Sequence, residues 1–151
     1  MSKEMTDGAL VGRFERKLDA MRRVRVPSEW FAVMGRPKRV VVLRDPSEKC
    51  IDLLPEEVYI AQVRRVRRLT PKSAEARQEL RILEGEVEHL DVSAQHCIRI
   101  SDKLLRFAAI KKQVIFLGAI RYAKLWNPKL LRRSEKKDSA LMGAIAESLG
   151  A

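Results

Sequence analysis

The sequence predicts an α+β fold in which one structural unit of roughly 75 residues occurs twice. The first observation is an internal repeat at an offset of 74 positions, where Val24-Arg25-Val26 returns as Ile98-Arg99-Ile100 and Val40-Val41-Val42 returns as Val114-Ile115-Phe116. The second is that each copy combines strand-like alternation of apolar and polar residues with a short helix-like stretch. We therefore expect two pseudo-symmetric β-β-α-β repeats rather than one undivided core.

The first copy opens with two strand-like stretches. Alternation over residues 10–18 places the apolar side chains on one side, which is typical of a strand with one buried face. Alternation resumes over residues 23–26, so the two stretches and their short connection predict a β-hairpin. Pro27 suits the first turn of a helix, and Gly35 suits its end. The remaining predicted elements of this copy are a helix over residues 28–34 and strands over residues 38–43 and 50–54.

Two helical stretches separate the first copy from the second. Pro55-Glu56-Glu57 predicts a helix start with acidic residues in the first turn, and this helix continues to about Leu69. Thr70-Pro71 predicts the cap of a second helix that ends at Gly85. The second copy then repeats the order of elements, with strands over residues 86–92, 97–100, 113–117 and 122–126, a helix over residues 102–109 and a helix that begins at Pro128.

The predicted boundaries follow from this order of elements. The polar run of residues 134–138 predicts a mobile segment, and residues 140–149 predict a short amphipathic helix. The apolar stripe of this helix serves local packing or, as the alternative, a partner site. The predicted divisions are a first repeat with its following helix over residues 9–69, a connecting helix over 70–85, a second repeat over 86–134 and a C-terminal tail over 135–151.

The composition predicts a soluble globular protein with a polyanionic partner. The chain of 151 residues has 34% charged residues and a formal net charge of +11, which makes nucleic acid the first partner class and an anionic membrane surface the second. The apolar stretches are far shorter than the ~20 residues that span a bilayer. Residues 1–8 lack the apolar segment of a secretory signal, so we expect a cytoplasmic protein.

The sequence lacks patterns typical of catalysis or metal binding. Cys50 and Cys97 cannot form a disulfide framework or a four-ligand zinc site, and we expect both to be small buried apolar residues. His89 and His96 have no further ligands around them at metal spacing. There is neither a glycine-flanked serine nor a glycine-rich phosphate loop. We expect no enzyme activity, no cofactor, no metal site and no small-molecule substrate.

The strongest chemical constellation is a cluster of cations on the first predicted hairpin. Six of the thirteen residues from 13 to 25 are basic, and alternation places four of them on the side that faces away from the core. A two-stranded ribbon is narrow enough to enter a major groove about 12 Å wide, where guanidinium groups contact phosphates or guanine edges. The alternative is a solvated β-face whose charges prevent aggregation at a strand edge. The basic residues are Arg13, Arg16, Lys17, Arg22, Arg23 and Arg25.

The same segment carries a family resemblance. The pattern Leu10-Val11-Gly12-x-Phe14-x-x-x-Leu18-Asp19-x-x-x-Arg23-Val24-x-Val26-Pro27 resembles the opening of MraZ proteins. Cys50-Ile51-Asp52-Leu53-Leu54-Pro55 resembles the next strand and helix entry of that family, and Leu83-x-Gly85-x-Val87-Glu88 resembles the start of its second repeat. The resemblance spans about residues 9–128 of the chain.

The resemblance implies a small β-barrel core of two AbrB-like, swapped-hairpin repeats with flanking helices. It also implies a sequence-specific transcriptional regulator of the division and cell-wall gene cluster that assembles into a ring-like homo-oligomer. Asp19 and Arg23 match the Asp-x-x-x-Arg motif of the family, and we expect Asp19 to accept from turn amides and to orient the arginine. In the second copy Ser93 and Cys97 stand where the motif requires aspartate and arginine. The usual glycine before the first arginine is here Arg22.

We therefore expect a DNA-binding transcriptional regulator, associated with the nucleoid, whose partners are double-stranded DNA and further copies of itself but no membrane. The alternative is a protein-interaction or antitoxin-like scaffold, which the departure in the second copy favours. A second basic cluster, Arg64-Arg65-x-Arg67-Arg68, is expected to be a solvated helix face. Burial of Arg13, Arg23 and Arg25 in ion pairs with neighbouring carboxylates would overturn the expectation of a DNA-binding regulator. The expected DNA-binding residues are Arg13, Lys17, Asp19, Arg22, Arg23 and Arg25.

Overall fold

The computed structural model describes residues 8–150, so the expectation about a secretory signal falls almost entirely outside the described part. The strands are β1 (Arg13–Lys17), β2 (Arg23–Arg25), β3 (Arg39–Arg44), β4 (Ile51–Pro55), β5 (Glu88–Asp91), β6 (Cys97–Arg99), β7 (Gln113–Gly118) and β8 (Ala123–Trp126). The helices are α1 (Ser28–Val33), α2 (Glu56–Leu69), α3 (Ala74–Gly85), α4 (Asp102–Ala108) and α5 (Pro128–Ser148), with a 3-10 turn, Thr70–Lys72, between α2 and α3. None of the described helices is both long and apolar enough to cross a membrane.

The element order β-β-α-β-β occurs twice along the chain, in a first half from β1 to β4 and a second half from β5 to β8. Three pairs of equivalent elements begin 74 positions apart: β2 and β6 at 23 and 97, α1 and α4 at 28 and 102, and β3 and β7 at 39 and 113. β4 and β8 begin 72 positions apart, at 51 and 123. The offset of 74 positions equals that of the sequence repeat. The helices α2 and α3 connect the halves.

The strands of the two halves interleave in an antiparallel six-stranded sheet of order β1-β7-β8-β4-β3-β5. β1 pairs with β7 of the other half, with Arg13 opposite Leu117, and β5 pairs with β3. The short strands β2 and β6 form a separate ribbon. The predicted pairing of β1 with β2 in a hairpin is therefore wrong, because each of these strands completes its hydrogen bonds with a strand of the second half.

The described strands do not close into the small barrel that the family resemblance implies. β1 and β5 are the edges of the six-stranded sheet, and the ribbon is not hydrogen-bonded into it. The ribbon buries Val24 and Ile98 against the core and exposes its other face, so it packs on the sheet instead of extending it. The structure confirms a mixed α+β fold, whereas the likeness to an AbrB-like repeat stays a prediction.

The main core lies between the sheet, the ribbon and the helices α1 and α4, and both halves contribute to it. Trp30 of α1 packs edge-on against Phe14 of β1, at 5.2 Å between ring centroids, and against Phe116 of β7, at 6.1 Å. A second core lies on the other face of β3, where Val41 and Leu43 meet residues of α2 and α3. Since successive strand residues face opposite sides, β3 is buried on both faces and anchors the sheet that supports the ribbon.

Helix α5 is continuous through residues 134–138, so the prediction of a separate short helix over residues 140–149 is wrong. Within this polar run, the hydroxyl of Ser134 donates to Glu48 at 3.2 Å, and Glu135 pairs with Arg13 of β1. The run consists largely of residues that favour helices. These contacts with the sheet and its turn hold it in the helix although it has no apolar side chain.

Candidate nucleic-acid interface

The turn between β1 and β2, residues 19–23 and here called loop one, is closed by the side chain of Asp19. Its Oδ1 accepts hydrogen bonds from the backbone N–H groups of Met21 at 2.9 Å and Arg23 at 2.8 Å, and its Oδ2 accepts from Nε of Arg23 at 2.9 Å. The hydrogen bond from the backbone of Arg23 is the main reason that the pKa of Asp19 lies below its usual value. The expected contact between Asp19 and Arg23 is therefore present, and it directs the guanidinium.

The turn between β5 and β6, residues 93–97 and here called loop two, has the same backbone geometry with different side chains. The N–H of Ser93 donates to the carbonyl of Cys97 at 3.0 Å, and that of His96 donates to Ser93 at 2.9 Å. The equivalent bonds of loop one are 2.9 and 3.0 Å. Ser93 Oγ accepts from the N–H of Cys97 at 3.1 Å, as Asp19 Oδ1 does from Arg23. Loop two therefore keeps the turn geometry of loop one, but it lacks the carboxylate and the guanidinium of the motif.

The ribbon between the two loops presents arginine side chains on its exposed face. In β2, Arg23 and Arg25 are exposed while Val24 between them is buried, so the predicted outward direction of both arginines is confirmed. In β6, Arg99 is also exposed, and it lies directly opposite Arg23. One face of the ribbon therefore carries three guanidinium groups, two from the first half and one from the second.

Sequence reasoning did not select Arg99, although the internal repeat contains the signal. Arg99 stands 74 positions after Arg25, so the same offset that predicts the fold assigns it an equivalent place. The prediction assumed that β2 pairs with β1 and therefore assigned the ribbon's cations to the first half alone. Cys97 is half-buried and not buried as predicted, because it lies on this ribbon, whereas Cys50 is buried.

Several of the predicted cations form ion pairs, which is the observation that argues against DNA contact. The pairs are Arg13 with Glu135, Arg22 with Asp102, and Arg23 with Asp19. Their side chains are between 39% and 52% exposed, and ion pairs so open to water are weak and screened by salt. Arg25 and Arg99 form no ion pair with any residue between 8 and 150. The expectation of unpaired cations is thus wrong for Arg13 and Arg23 and holds for Arg25.

The predicted cations of β1 divide between two surroundings. Lys17 is exposed at the end of β1 that leads into loop one, whereas Arg13 lies about 13 Å away along the strand beside Glu135 of α5. Arg16 is half-buried, with its guanidinium carbon 5.4 Å from the centroid of the Phe14 ring. Lys17 therefore belongs to the surface around loop one, and Arg13 lies apart from it.

A second group of titratable residues lies beside the turn between β3 and β4. Ligand atoms of Asp45, Cys50 and Asp52 lie within 4.8 Å of one another. Nζ of Lys124 lies 3.6 Å from Asp45 and 2.7 Å from Glu48. Burial raises the pKa of Asp52 to about 9, and the carboxylate of Asp45 adds to the rise. Lys124 therefore supplies a positive charge beside the carboxylates of Asp45 and Glu48.

The fold and the ribbon together define an α+β protein of two interleaved halves with a cationic surface where the halves meet. Among known proteins, the transcriptional regulator MraZ of Acidithiobacillus ferrooxidans is 28% identical over 122 residues, covering 77% of this chain and 81% of that protein. MraZ of Christiangramia forsetii is 23% identical over 142 residues, covering 93% and 92%, and MraZ of Bacteroides fragilis is 24% identical over 140 residues, covering 91% and 89%.

These similarities confirm the resemblance that the motif of residues 10–27 predicts. The chain is similar to MraZ transcriptional regulators over most of its length, at 23–28% identity. No family model matches it.

Proposed function

We propose that this protein is a transcriptional regulator that binds double-stranded DNA through the exposed face of the ribbon. Its relatives are named as transcriptional regulators, and the ribbon offers a surface of suitable chemistry. Arg23, Arg25 and Arg99 project from one face while Val24 and Ile98 hold the other in the core. A fixed backbone lets the guanidinium groups meet DNA with little loss of conformational freedom. This arginine face carries the proposal.

The ribbon and loop one contribute different contacts in this proposal. A two-stranded ribbon fits the major groove, where Arg25 and Arg99 reach phosphates or guanine edges. Arg22 and Arg23 exchange their exposed carboxylate partners for phosphate oxygens, because phosphate accepts paired hydrogen bonds from a guanidinium equally well. Asp19 keeps the turn in shape during this exchange through its backbone hydrogen bonds.

Assembly into a homo-oligomer, with a ring as the form that the family resemblance implies, completes the proposal. Each chain offers one charged loop and one neutral loop, so a single chain provides one strongly basic contact. Linked copies gain affinity when their spacing matches repeated DNA boxes. We propose that such a regulator is associated with nucleoid DNA and acts on the division and cell-wall gene cluster. A solution mass above that of a dimer supports the ring.

Replacement of Arg25 by alanine tests the ribbon. Arg25 is exposed and free of ion pairs with described residues, so the fold does not depend on it. A hydrogen bond to a charged group contributes about 1.5–3 kcal/mol, so we expect the affinity for a duplex to fall about tenfold or more. We also expect the slope of log K against log salt to decrease by about 1. Fluorescence anisotropy of a labelled duplex across a salt series measures both.

Arg68→Ala is the matched control, because it removes the same charge from an exposed position of α2 outside the ribbon. Comparable affinities for the Arg25→Ala and Arg68→Ala variants would remove the ribbon from the proposal.

The second candidate function is a protein-interaction or antitoxin-like scaffold without DNA contact. The neutral loop two and the ion pairs of Arg22 and Arg23 favour it. A gel-shift assay of the unmodified protein at low salt separates the two candidates, since non-specific binding to DNA is strongest there. The absence of any retardation with random or genomic duplex would favour the scaffold.

A further inference from the structure

An open groove of about 750 Å³ lies beside loop one. Its walls are the end of β1, loop one, helix α4 and the turn that follows α4. The N–H of Leu18 donates to the carbonyl of Lys112 at 2.7 Å, and Arg22 pairs with Asp102, so both halves build it. Ala109, with a φ of 55°, ends α4 and starts the turn that brings Lys111 to the groove.

The groove is strongly cationic. Five of its lining residues are basic and two, Asp19 and Asp102, are acidic. Both acids already pair with arginines, so the remaining cations have no carboxylate partner among the described residues. Leu18, Leu105 and Ile110 also line the groove, and several cations around one groove suit a ligand with several negative charges. The basic residues are Lys17, Arg22, Arg106, Lys111 and Lys112.

The equivalent place in the other half has a different chemistry. At the offset of 74, Phe31 corresponds to Leu105 and His96 to Arg22, and the rings of Phe31 and His96 stack at 4.2 Å between centroids. Ala32 likewise stands in the place of Arg106. Cations are present in both places, because Arg36, Lys38 and Arg39 stand at the equivalents of Ile110, Lys112 and Gln113. The place beside loop one differs in that Arg22 and Arg106 add two cations where the other half has His96 and Ala32.

We propose that this groove binds the sugar–phosphate backbone of DNA next to the contact made by the ribbon. The inference rests on the proposed function and extends it, because Arg106, Lys111 and Lys112 belong to the second half. The second half has a neutral loop, but it supplies the cations that flank the charged loop of the first. Phosphate contacts position a duplex without reading its sequence, so the groove contributes equally to every DNA sequence.

The Lys111→Ala/Lys112→Ala double variant tests the groove. Both side chains are exposed, so their loss leaves the core intact. We expect the affinity for duplex DNA to fall about tenfold or more, by the same factor for genomic and random sequences. The slope of log K against log salt should decrease by about 1.8, which corresponds to two phosphate contacts. Fluorescence anisotropy across a salt series measures these quantities.

The control is the Lys136→Ala/Lys137→Ala double variant, which loses the same charge from exposed positions of α5. If both double variants bind DNA equally while Arg25→Ala binds weakly, the inference about the groove is wrong and the proposed role of the ribbon is retained. If the unmodified protein binds no DNA at low salt, the proposed function and the groove both fail. Inorganic phosphate is the second probe: saturation of the groove by phosphate, with DNA affinity unchanged in the lysine variant, would assign it to a free anion and overturn the inference.

Discussion

At the residue scale, one side-chain oxygen accepts the backbone hydrogen bond that closes each loop. The oxygen does so whether it belongs to the charged Asp19 or to the uncharged Ser93. Asp19 and Ser93 accept the same backbone hydrogen bond at equivalent positions, 2.8 and 3.1 Å long. Arg22 and His96 have φ values of 62° and 64°, in the left-handed region that favours glycine. The glycine usual in the MraZ motif therefore has a physical reason, and Arg22 departs from it at a cost in backbone energy.

The variant Arg22→Gly should accordingly be more stable than the unmodified protein and bind DNA less well. Release of the left-handed strain is worth about 1 kcal/mol, and glycine removes one cation of loop one. Urea unfolding monitored by circular dichroism measures the gain, and anisotropy measures the loss. Arg25→Gly is the control: in the extended strand β2, glycine should destabilise the protein. If Arg22→Gly is less stable than the unmodified protein, the Arg22 side chain stabilises the fold by more than the left-handed backbone strain destabilises it.

Part of the candidate interface could be predicted at this scale and part could not. The pair Asp19 and Arg23 is four residues apart, so a local motif was sufficient to predict their contact. Arg99 was missed, because its place opposite Arg23 depends on the pairing of β2 with β6. The ion pair of Arg13 with Glu135 joins residues 122 positions apart, and no local pattern contains that information.

At the element scale, the strands could be located from the sequence, but their partners could not. Alternation and strand-favouring composition are local properties, and together they located the eight described strands to within a few residues. Pairing depends on which apolar faces meet in the folded chain, and Phe14 of β1 meets Trp30 and Phe116 instead of β2. The helical run at residues 134–138 was missed for the same reason, since contacts with Glu48 and Arg13 stabilise it.

The pairing of β4 with β8 places Asp52 opposite Lys124, in a cluster that also contains Asp45, Glu48 and Tyr122. The pKa of Asp52 is about 9 in the folded chain, against about 3.9 when unfolded. The folded state therefore binds one more proton between these values. Its stability falls as the pH rises through them, by up to about 1.4 kcal/mol per pH unit. The pKa of Asp45 is lowered, so its contribution is lost only in more acidic solution.

The variant Asp52→Asn should remove this dependence, because the amide donates a hydrogen bond as the protonated acid does and cannot ionise. We expect its free energy of unfolding, relative to the unmodified protein, to increase steadily from about pH 5 to about pH 8. Urea unfolding at several pH values measures the difference. A difference that stays constant over this range would contradict the assigned protonation of Asp52.

At the scale of the whole molecule, two halves with the same order of elements share one sheet and one core. In the order β1-β7-β8-β4-β3-β5, the first strand of each half pairs with a strand of the other half. β1 pairs with β7, and β5 pairs with β3. The exposed junction is asymmetric, with a charged loop and an open cationic groove at one end of the ribbon and a neutral loop and an aromatic stack at the other. In the proposed function, both halves therefore serve one contact with DNA in each chain.

The affinity of the Arg25→Ala/Arg99→Ala double variant for duplex DNA tests this account most directly, because these two arginines come from different halves and face solvent on one ribbon. The control is Arg64→Ala/Arg68→Ala, which removes equal charge from exposed positions of α2. The account predicts a loss of about a hundredfold in the ribbon variant, about tenfold for each arginine, with little change in the control. Equal affinities of the two variants, both folded by circular dichroism, would contradict it.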